Sequence, residues 1–164
     1  MYHGTEIERG RKIVQEQKFS VTVSTDRRQH WLGDGIYLYR EILLAFRWIV
    51  MMFNARHKAD METELLHKYT ILKASVECDE ERIFRLDNWE HFCVFKKVEE
   101  EYKRKSELSP KLNRMECTDG MIINIMFKYL GYGNNYDMVE AIFPITKIDY
   151  EFCQTSRIRT FSEY

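Results

Sequence analysis

The sequence carries no excess of charge of one sign, since 25 lysine and arginine residues stand against 26 aspartate and glutamate residues. A protein that binds nucleic acid by electrostatics alone usually has a clear basic excess. The balance therefore argues against that class, although it leaves a local basic patch open. With 45% apolar and 14% aromatic residues, the composition is also unlike that of a disordered chain.

Cysteine is scarce, and its four residues are scattered along the chain. None of them forms a Cys-x-x-Cys pair, and no histidine lies at the spacing of a zinc site. We therefore expect free thiols and no bound metal. The four positions are Cys78, Cys93, Cys117 and Cys153.

Long apolar runs are also missing. The most apolar stretch, residues 42–53, includes Arg47 and is too short to cross a bilayer as a helix. The first residues, Met-Tyr-His-Gly, are polar and lack the apolar core of a signal peptide. From these features we expect a protein of the reducing cytoplasm that does not associate with a membrane.

What is present fits one domain of 164 residues, long enough to support its own core. Helical and alternating patterns are mixed along the chain without a regular βαβ alternation or an internal repeat, which predicts the α+β class. Predicted helices cover residues 6–16, 41–56 and 88–106. Predicted strands cover residues 1–5, 36–39, 69–78, 83–87 and 138–145, and residues 121–130 fit either a strand or a helix.

The stretch of residues 31–39 is the most distinctive part of this pattern. Gly33 and Gly35 flank an aspartate and allow backbone angles and close approaches that a Cβ would block. The next four residues are β-branched, aromatic or apolar, and they predict a short buried strand over residues 36–39. A tight glycine turn would then present Tyr37 from the end of this strand.

Together with Tyr2-His3-Gly4-Thr5, this stretch resembles the ADP-ribosyltransferase fold, in the branch of diphtheria toxin and the poly(ADP-ribose) polymerases. The N-terminal motif is similar to the His-Gly-Ser/Thr of that branch's opening strand, and Gly33-Asp34-Gly35-Ile36-Tyr37 to its glycine-led Ile-Tyr-Phe strand. Trp48 lies eleven positions after Tyr37, a spacing that in this family places a second aromatic opposite the first. The polymerases usually have tyrosine where this chain has Trp48.

The end of the chain resembles the family's third motif. Phe161-Ser162-Glu163-Tyr164 is similar to the segment around the catalytic glutamate, which follows a valine-rich strand by some twenty residues, as Glu163 follows residues 139–145. That glutamate normally opens a strand that continues, so we expect a domain over residues 1–164 that lacks its last strand or strands. If the third motif lies elsewhere, Glu140 and Gln154 are the alternatives.

The resemblance implies a split antiparallel sheet with flanking helices, and NAD⁺ as a co-substrate that needs no metal. The cationic nicotinamide ring would lie between Tyr37 and Trp48, because it binds flat aromatic faces. The backbone of Gly4 would hold the carboxamide, and His3 the ribose hydroxyls of the adenosine side. Glu163 would stabilise the oxocarbenium character that builds up at the ribose. The remaining predicted NAD⁺ contacts are Thr5 and Gly35.

The implied activity is mono-ADP-ribosyl transfer to a macromolecular acceptor, by an intracellular bacterial toxin or defence effector with an antitoxin or other partner chain. An NAD⁺ glycohydrolase would use the same donor site, and a catalytically inactive module would only bind NAD⁺ or ADP-ribose. Arg27 and Arg28, close to His30 and Trp31, could contact the NAD⁺ pyrophosphate or stack and clamp a nucleic acid strand. The acceptor is therefore left open between protein and nucleic acid.

Overall fold

The structure is a computed structural model of the chain that describes residues 1–25, 30–56, 61–108 and 117–142. Five helices accompany two small sheets in this described part, which gives a mixed α/β arrangement. The helices are α1 (Ile7–Glu16), α2 (Ile42–Arg56), α3 (Met61–Lys68), α4 (Trp89–Glu107) and α5 (Asp119–Tyr129). The strands are β1 (Tyr2–Glu6), β2 (Tyr69–Lys73), β3 (Ile83–Arg85) and β4 (Met138–Glu140), and short 3₁₀ turns cover Glu80–Arg82 and Tyr132–Asn134.

The first sheet pairs β1 with β2 in antiparallel register, with Gly4 opposite Ile71. On the other side of β1, Tyr2 and Tyr39 exchange two backbone hydrogen bonds, of 2.7 and 2.8 Å. Strand β1 therefore lies between β2 and the segment that leads into α2. This arrangement brings the N-terminal motif beside residues 33–39, which the sequence separates by about thirty positions.

Helix α2 packs closely across this sheet because Gly4 has no side chain. An added Cβ at Gly4 would lie 2.6 Å from the carbonyl oxygen of Ala45 and 2.6 Å from Cγ2 of Ile49, well inside van der Waals contact. No helix in the described ranges, α2 included, has the length and apolarity needed to cross a bilayer. The core under α2 contains Ile49, Val50, Phe53, Leu65 and Tyr69.

The second sheet pairs β3 with β4 in parallel, with Phe84 opposite Val139. The antiparallel pairing expected from the resemblance is wrong for these two strands. The chain leaves β3, passes through α4 and α5, and only then returns as β4, and a connection of that length lets two neighbouring strands run the same way. The core beside this sheet contains Phe84, Phe95, Ile122, Ile123 and Met126.

Side-chain caps fix the start of the two helices that build this second core. The side-chain oxygen of Asn88 accepts the backbone N–H groups of Glu90 and His91 at the start of α4. The hydroxyl of Thr118 accepts the N–H of Met121 at 3.3 Å at the start of α5. Residues 121–130, which fitted a strand or a helix, thus belong to a helix for most of their length.

Residues 36–39 do not form the buried strand that the sequence predicts. Tyr39 makes a single bridge, to Tyr2, and Ile36 is 42% exposed. The segment is apolar for another reason: its residues line a cleft, and its backbone is not paired as a strand in a sheet. The strand predicted for residues 36–39 is therefore wrong, although these residues are apolar and aromatic as a strand would require.

Candidate functional site

A cleft of about 900 Å³ opens between residues 31–41, helices α2 and α5, and strand β4. Aromatic and aliphatic side chains make up most of its lining, together with a few charged groups, which is typical of a site for a small organic ligand. Gly35, Tyr37 and Trp48 of the predicted NAD⁺ site are on its walls, as is Glu140. We call it the aromatic cleft.

One wall of the cleft depends on Asp34, in the middle of the glycine loop (residues 30–35). The Asp34 carboxylate accepts the backbone N–H of Ser24 at 2.7 Å and Nδ2 of Asn124 at 3.1 Å, and it forms an ion pair with Lys128. The backbone N–H of Asp34 donates in return to Oδ1 of Asn124 at 2.7 Å. Burial by itself raises the pKa of Asp34, but the hydrogen bonds from Lys128, Ser24 and Asn124 outweigh it and hold the pKa well below its ordinary value.

Glycines on both partners allow the loop and α5 to come together. Gly33 has a φ of +76°, and a Cβ there would lie 2.6 Å from Oδ1 of Asn124. A Cβ on Gly120 would lie only 1.7 Å from the carbonyl oxygen of His30. Gly35 differs, because no atom lies within 4 Å of the position of its missing Cβ.

This difference predicts opposite tolerance of the two loop glycines to alanine. Gly33→Ala should lower the free energy of unfolding by about 1–2 kcal/mol, the cost of the left-handed region for a residue with a Cβ, with a further loss from the clash with Asn124. Gly35→Ala should change it by less than about 0.5 kcal/mol. Urea denaturation of the two variants measures the difference, and equal stabilities would contradict the loop geometry.

Tyr37 is held at both its side chain and its backbone. Its hydroxyl donates to the carbonyl oxygen of Gly33 at 2.8 Å and accepts the N–H of Leu32 at 2.9 Å. Burial raises the pKa of Tyr37, so the phenol remains neutral at physiological pH. The ring is thus a fixed, uncharged surface on the wall of the cleft.

The backbone carbonyl of Tyr37 contacts His3, which joins the two motifs singled out in the sequence. Nδ1 of His3 lies 2.8 Å from the Tyr37 oxygen, across 34 positions of the chain. A carbonyl oxygen only accepts, so Nδ1 carries the proton and Nε2 of the neutral ring is the acceptor. The edge of the His3 ring also packs on Phe19, with centroids 5.2 Å apart.

The backbone N–H and C=O of Gly4 are directed toward the side of β1 on which Tyr39 lies, away from β2. Because Met1 and Ala74 exchange backbone hydrogen bonds on the β2 side while Tyr2 bonds to Tyr39, the alternation of an antiparallel ladder directs the N–H and C=O of Gly4 away from β2. No backbone hydrogen bond joins Gly4 to another described residue on that side. Gly4 and Thr5 are buried, so they lie behind the cleft wall and not on it.

Trp48 also lines the cleft, where its ring contacts the ring of Trp31. The two indoles meet edge to face with centroids 6.4 Å apart, and Trp31 is 48% exposed. The cleft therefore has an aromatic corner on α2 in addition to Tyr37. Trp31 belongs to the stretch singled out in the sequence, but its contact with Trp48 has no spacing signal.

Glu140 ends β4 at the edge of the cleft, between two arginines. Nε of Arg40 donates to Oε1 at 2.6 Å, and Nε of Arg85 lies 3.3 Å from Oε2. Only the contact with Arg40 is a hydrogen bond, since Nε of Arg85 has no hydrogen-bond partner, and the Glu140 side chain is 21% exposed. These two ion pairs tie the segment after Tyr39 to the second sheet, and each oxygen of Glu140 can still accept a further donor.

The other predicted polar residues of the site are Glu163, Gln154, Arg27 and Arg28, which lie outside the described residues. Their roles stay predictions. The sequence did not single out Asn124 and Lys128. The pattern of residues 121–130 fitted both a strand and a helix, so it could not show which side chains lie on the same face. In the described part of the chain, no three His, Cys, Asp or Glu side chains come together as metal ligands.

A comparison with known proteins finds "Uncharacterized protein MJ0359" of Methanocaldococcus jannaschii. It is 36% identical over 156 residues, which cover 92% of this chain and 67% of the relative. The chain belongs to the family of this archaeal protein. No family model matches the chain, and no solved structure matches it. The match to the MJ0359 family extends over most of the chain, so the family is defined by more than the short motifs.

Proposed function

We propose that this protein binds NAD⁺ at the aromatic cleft, cleaves the nicotinamide–ribose bond and transfers ADP-ribose to a macromolecular acceptor. The observation that carries the proposal is the contact between His3 and Tyr37 at 2.8 Å. The two motifs were chosen for their resemblance to one family, and nothing in their spacing requires them to meet. Their contact beside a cleft of about 900 Å³ is what a shared NAD⁺ site needs.

The chemistry of the surrounding groups supports the donor half of the site. The Tyr37 ring and the Trp31–Trp48 corner supply the apolar faces that attract a planar cation. Nε2 of His3 can accept a hydrogen bond from a ribose hydroxyl. The backbone N–H and C=O of Gly4 form the donor–acceptor pair that a carboxamide requires. Because Gly4 is buried behind the cleft wall, the ligand would reach them only after a local movement of that wall.

In the proposed reaction, the bond between C1′ of the ribose and the nicotinamide nitrogen breaks, and its electron pair leaves with neutral nicotinamide. An oxygen or nitrogen of the acceptor forms a new bond to C1′ and loses its proton. A carboxylate near the ribose stabilises the positive charge that develops there. We assign this role to Glu163, with Glu140 as the alternative carboxylate. Gln154, the other residue that the sequence offers, is a neutral amide that could position an acceptor, and no step requires a metal.

A second candidate, a module that binds NAD⁺ or ADP-ribose without turnover, is favoured by one observation. Three of the four carboxylates that line the described part of the cleft already have cationic partners: Asp34 pairs with Lys128, Asp137 with Arg82, and Glu140 with two arginines. The fourth, Glu41, forms no ion pair with another described residue. The distinction between enzyme and binding module depends on a carboxylate that no protein cation neutralises, and Glu163 is the residue that we propose for it.

The test uses NAD⁺ that carries radiolabel in the adenylate phosphate, incubated with the purified chain and a cell lysate. We expect acid-insoluble label and one released nicotinamide for each label transferred. Tyr37→Ala and His3→Ala should each weaken NAD⁺ binding at least about tenfold, which is about 1.4 kcal/mol, because Tyr37 lines the cleft and His3 holds the backbone carbonyl of Tyr37. Isothermal titration calorimetry measures this change.

Matched controls are Tyr129→Ala, whose side chain is 79% exposed on α5, and His67→Ala, exposed on α3. Both should bind NAD⁺ like the wild type. Label recovered only as free ADP-ribose would identify a glycohydrolase, and binding without release of nicotinamide would identify the inactive module. A wild-type chain that does not bind NAD⁺ would contradict the proposal as a whole.

The proposed setting is the cytoplasm, with an intracellular toxin or defence effector as the role and an antitoxin or other partner chain as a possible regulator. These expectations come from the resemblance to the ADP-ribosyltransferases. The MJ0359 relative comes from an archaeon, so the proposal is not restricted to bacteria. Nucleic acid and protein both remain acceptors to be tested with the labelled lysate, by nuclease and protease digestion of the product.

A further inference from the structure

We propose that Lys128 is a positioning residue for NAD⁺ binding, which acts through Asp34 on the orientation of Tyr37. The inference rests on the proposed function, because it concerns the same cleft. It assigns a role to a side chain on α5 that is distant in sequence from both motifs. We call Asp34, Asn124, Lys128 and the backbone N–H of Ser24 the Asp34 cluster.

The first step is the concentration of contacts on one buried carboxylate. The Asp34 side chain is 7% exposed, and three donors from two separate segments, Ser24 on one side and α5 on the other, converge on it. Asn124 and Lys128 are four residues apart on α5, so they lie on the same face of the helix. Lys128 supplies the only cation in this cluster and reaches Asp34 across 94 positions of the chain.

The second step leads from Asp34 to Tyr37. The backbone of Leu32 and Gly33, next to Asp34, supplies both hydrogen-bond partners of the Tyr37 hydroxyl. Residues 31–38 belong to no helix or paired strand of the described chain apart from the bridge at Gly35. The path of this backbone is therefore set by the two backbone hydrogen bonds between Gly35 and Thr22 and by a few side-chain contacts, of which the Asp34 cluster is the densest.

The third step is the effect of removing the cation. Without Lys128, Asp34 would be a buried carboxylate held by neutral donors alone, which is unfavourable compared with a solvated one. A movement of the Asp34 side chain toward water would relieve this cost. Gly33 directly precedes Asp34 in the chain, and Leu32 precedes Gly33. A movement of Asp34 would therefore displace the two backbone groups that hold the Tyr37 hydroxyl and release the ring from its fixed orientation.

An ordinary surface ion pair would not have this effect, and the chain offers one for comparison. Lys105 pairs with Glu101 on α4 at 2.7 Å, and both side chains are more than half exposed. Such a pair contributes little to stability, and neither residue is on the wall of the cleft. Lys105→Met is therefore the matched control for Lys128→Met.

The experiment combines hydrogen exchange with NAD⁺ titration on the full chain. In Lys128→Met, we expect the amides of residues 30–37 to exchange about tenfold faster and NAD⁺ to bind about tenfold more weakly, since small displacements of a positioned group have large effects. Lys128→Arg keeps the cation at a single-contact site and should stay within about threefold of the wild type. Lys105→Met should match the wild type in both measurements.

Hydrogen exchange tests the Asp34 cluster without reference to the ligand. Unchanged exchange over residues 30–37 in Lys128→Met would overturn the inference, whatever the chain binds. Faster exchange with unchanged NAD⁺ affinity would overturn the link to Tyr37 while leaving the proposed function intact. A wild-type chain that does not bind NAD⁺ would instead contradict the proposed function, and faster exchange in Lys128→Met alone would then limit Lys128 to a structural role.

Discussion

Gly120→Ala should lower the free energy of unfolding by about 3 kcal/mol and abolish the binding of NAD⁺. The new Cβ would lie 1.7 Å from the carbonyl oxygen of His30 and 2.8 Å from the backbone nitrogen of Gly33. Both are backbone atoms, so no rotation of a side chain can relieve the clash. The glycine loop has to separate from α5, and the separation also disrupts the hydrogen bonds that hold Tyr37.

Thermal unfolding and calorimetric titration measure the two effects. A loss of this size corresponds to a decrease in melting temperature of roughly 6–12 °C for a chain of this length. Asp119→Ala is the control, because it places alanine one position earlier on α5 with an exposed side chain, and it should cost less than about 1 kcal/mol. If Gly120→Ala melted and bound NAD⁺ like the control, the docking of the glycine loop on α5 would be wrong.

The elements that could be predicted from sequence are those with a clear local pattern of apolar residues or a recognisable motif. The N-terminal strand, the first helix, the apolar helix after residue 40 and the long helix after Asn88 all appear close to their expected bounds. Helical spacing of apolar residues indicates the first helix and the helix after Asn88, whereas a continuous apolar run indicates the helix after residue 40. The strand expected over residues 83–87 is also present, as β3.

Residues 36–39 show where this reasoning stops. Their side chains are those of a buried strand, but Tyr37 satisfies its hydroxyl on the Gly33 carbonyl and its own carbonyl on His3. Contacts with residues distant in sequence thus determine the backbone conformation of this segment, and local residue propensities cannot predict such contacts. The parallel pairing of β3 and β4 has the same origin, since it depends on the route taken through two helices.

The candidate site likewise contains residues that sequence motifs single out and residues that only the folded structure identifies. Short motifs single out His3, Gly4 and Tyr37 in the sequence, and the structure brings His3 into contact with Tyr37 while Gly4 lies behind the cleft wall. The polar groups that hold the site lie outside these motifs. Asn124 and Lys128 are on α5, and Arg40 lies two residues before the start of α2. Each is an ordinary polar residue in the sequence, and only its partner across the fold gives it a role.

Glu163→Gln should reduce the rate of NAD⁺ cleavage on the order of 10²–10³-fold, with NAD⁺ affinity and melting temperature unchanged. The substitution keeps the size of the side chain and removes the charge that is proposed to stabilise the transition state. Since the interaction is made mainly in the transition state, the loss should appear in kcat and not in KM. Release of nicotinamide at saturating NAD⁺ measures it.

Glu140→Gln is the comparison that decides between the two glutamates. Both oxygens of Glu140 have arginine partners, and Arg85 is only 33% exposed, so loss of the charge should lower the free energy of unfolding by about 1–3 kcal/mol. The rate of cleavage at saturating NAD⁺ should fall by less than about tenfold, because the ion pairs of Glu140 are structural. A loss of 100-fold or more in Glu140→Gln with unaltered stability, beside normal turnover in Glu163→Gln, would transfer the catalytic role to Glu140. Normal turnover in both variants would direct the search to Gln154, whose side chain could position an acceptor but could not stabilise positive charge as a carboxylate does.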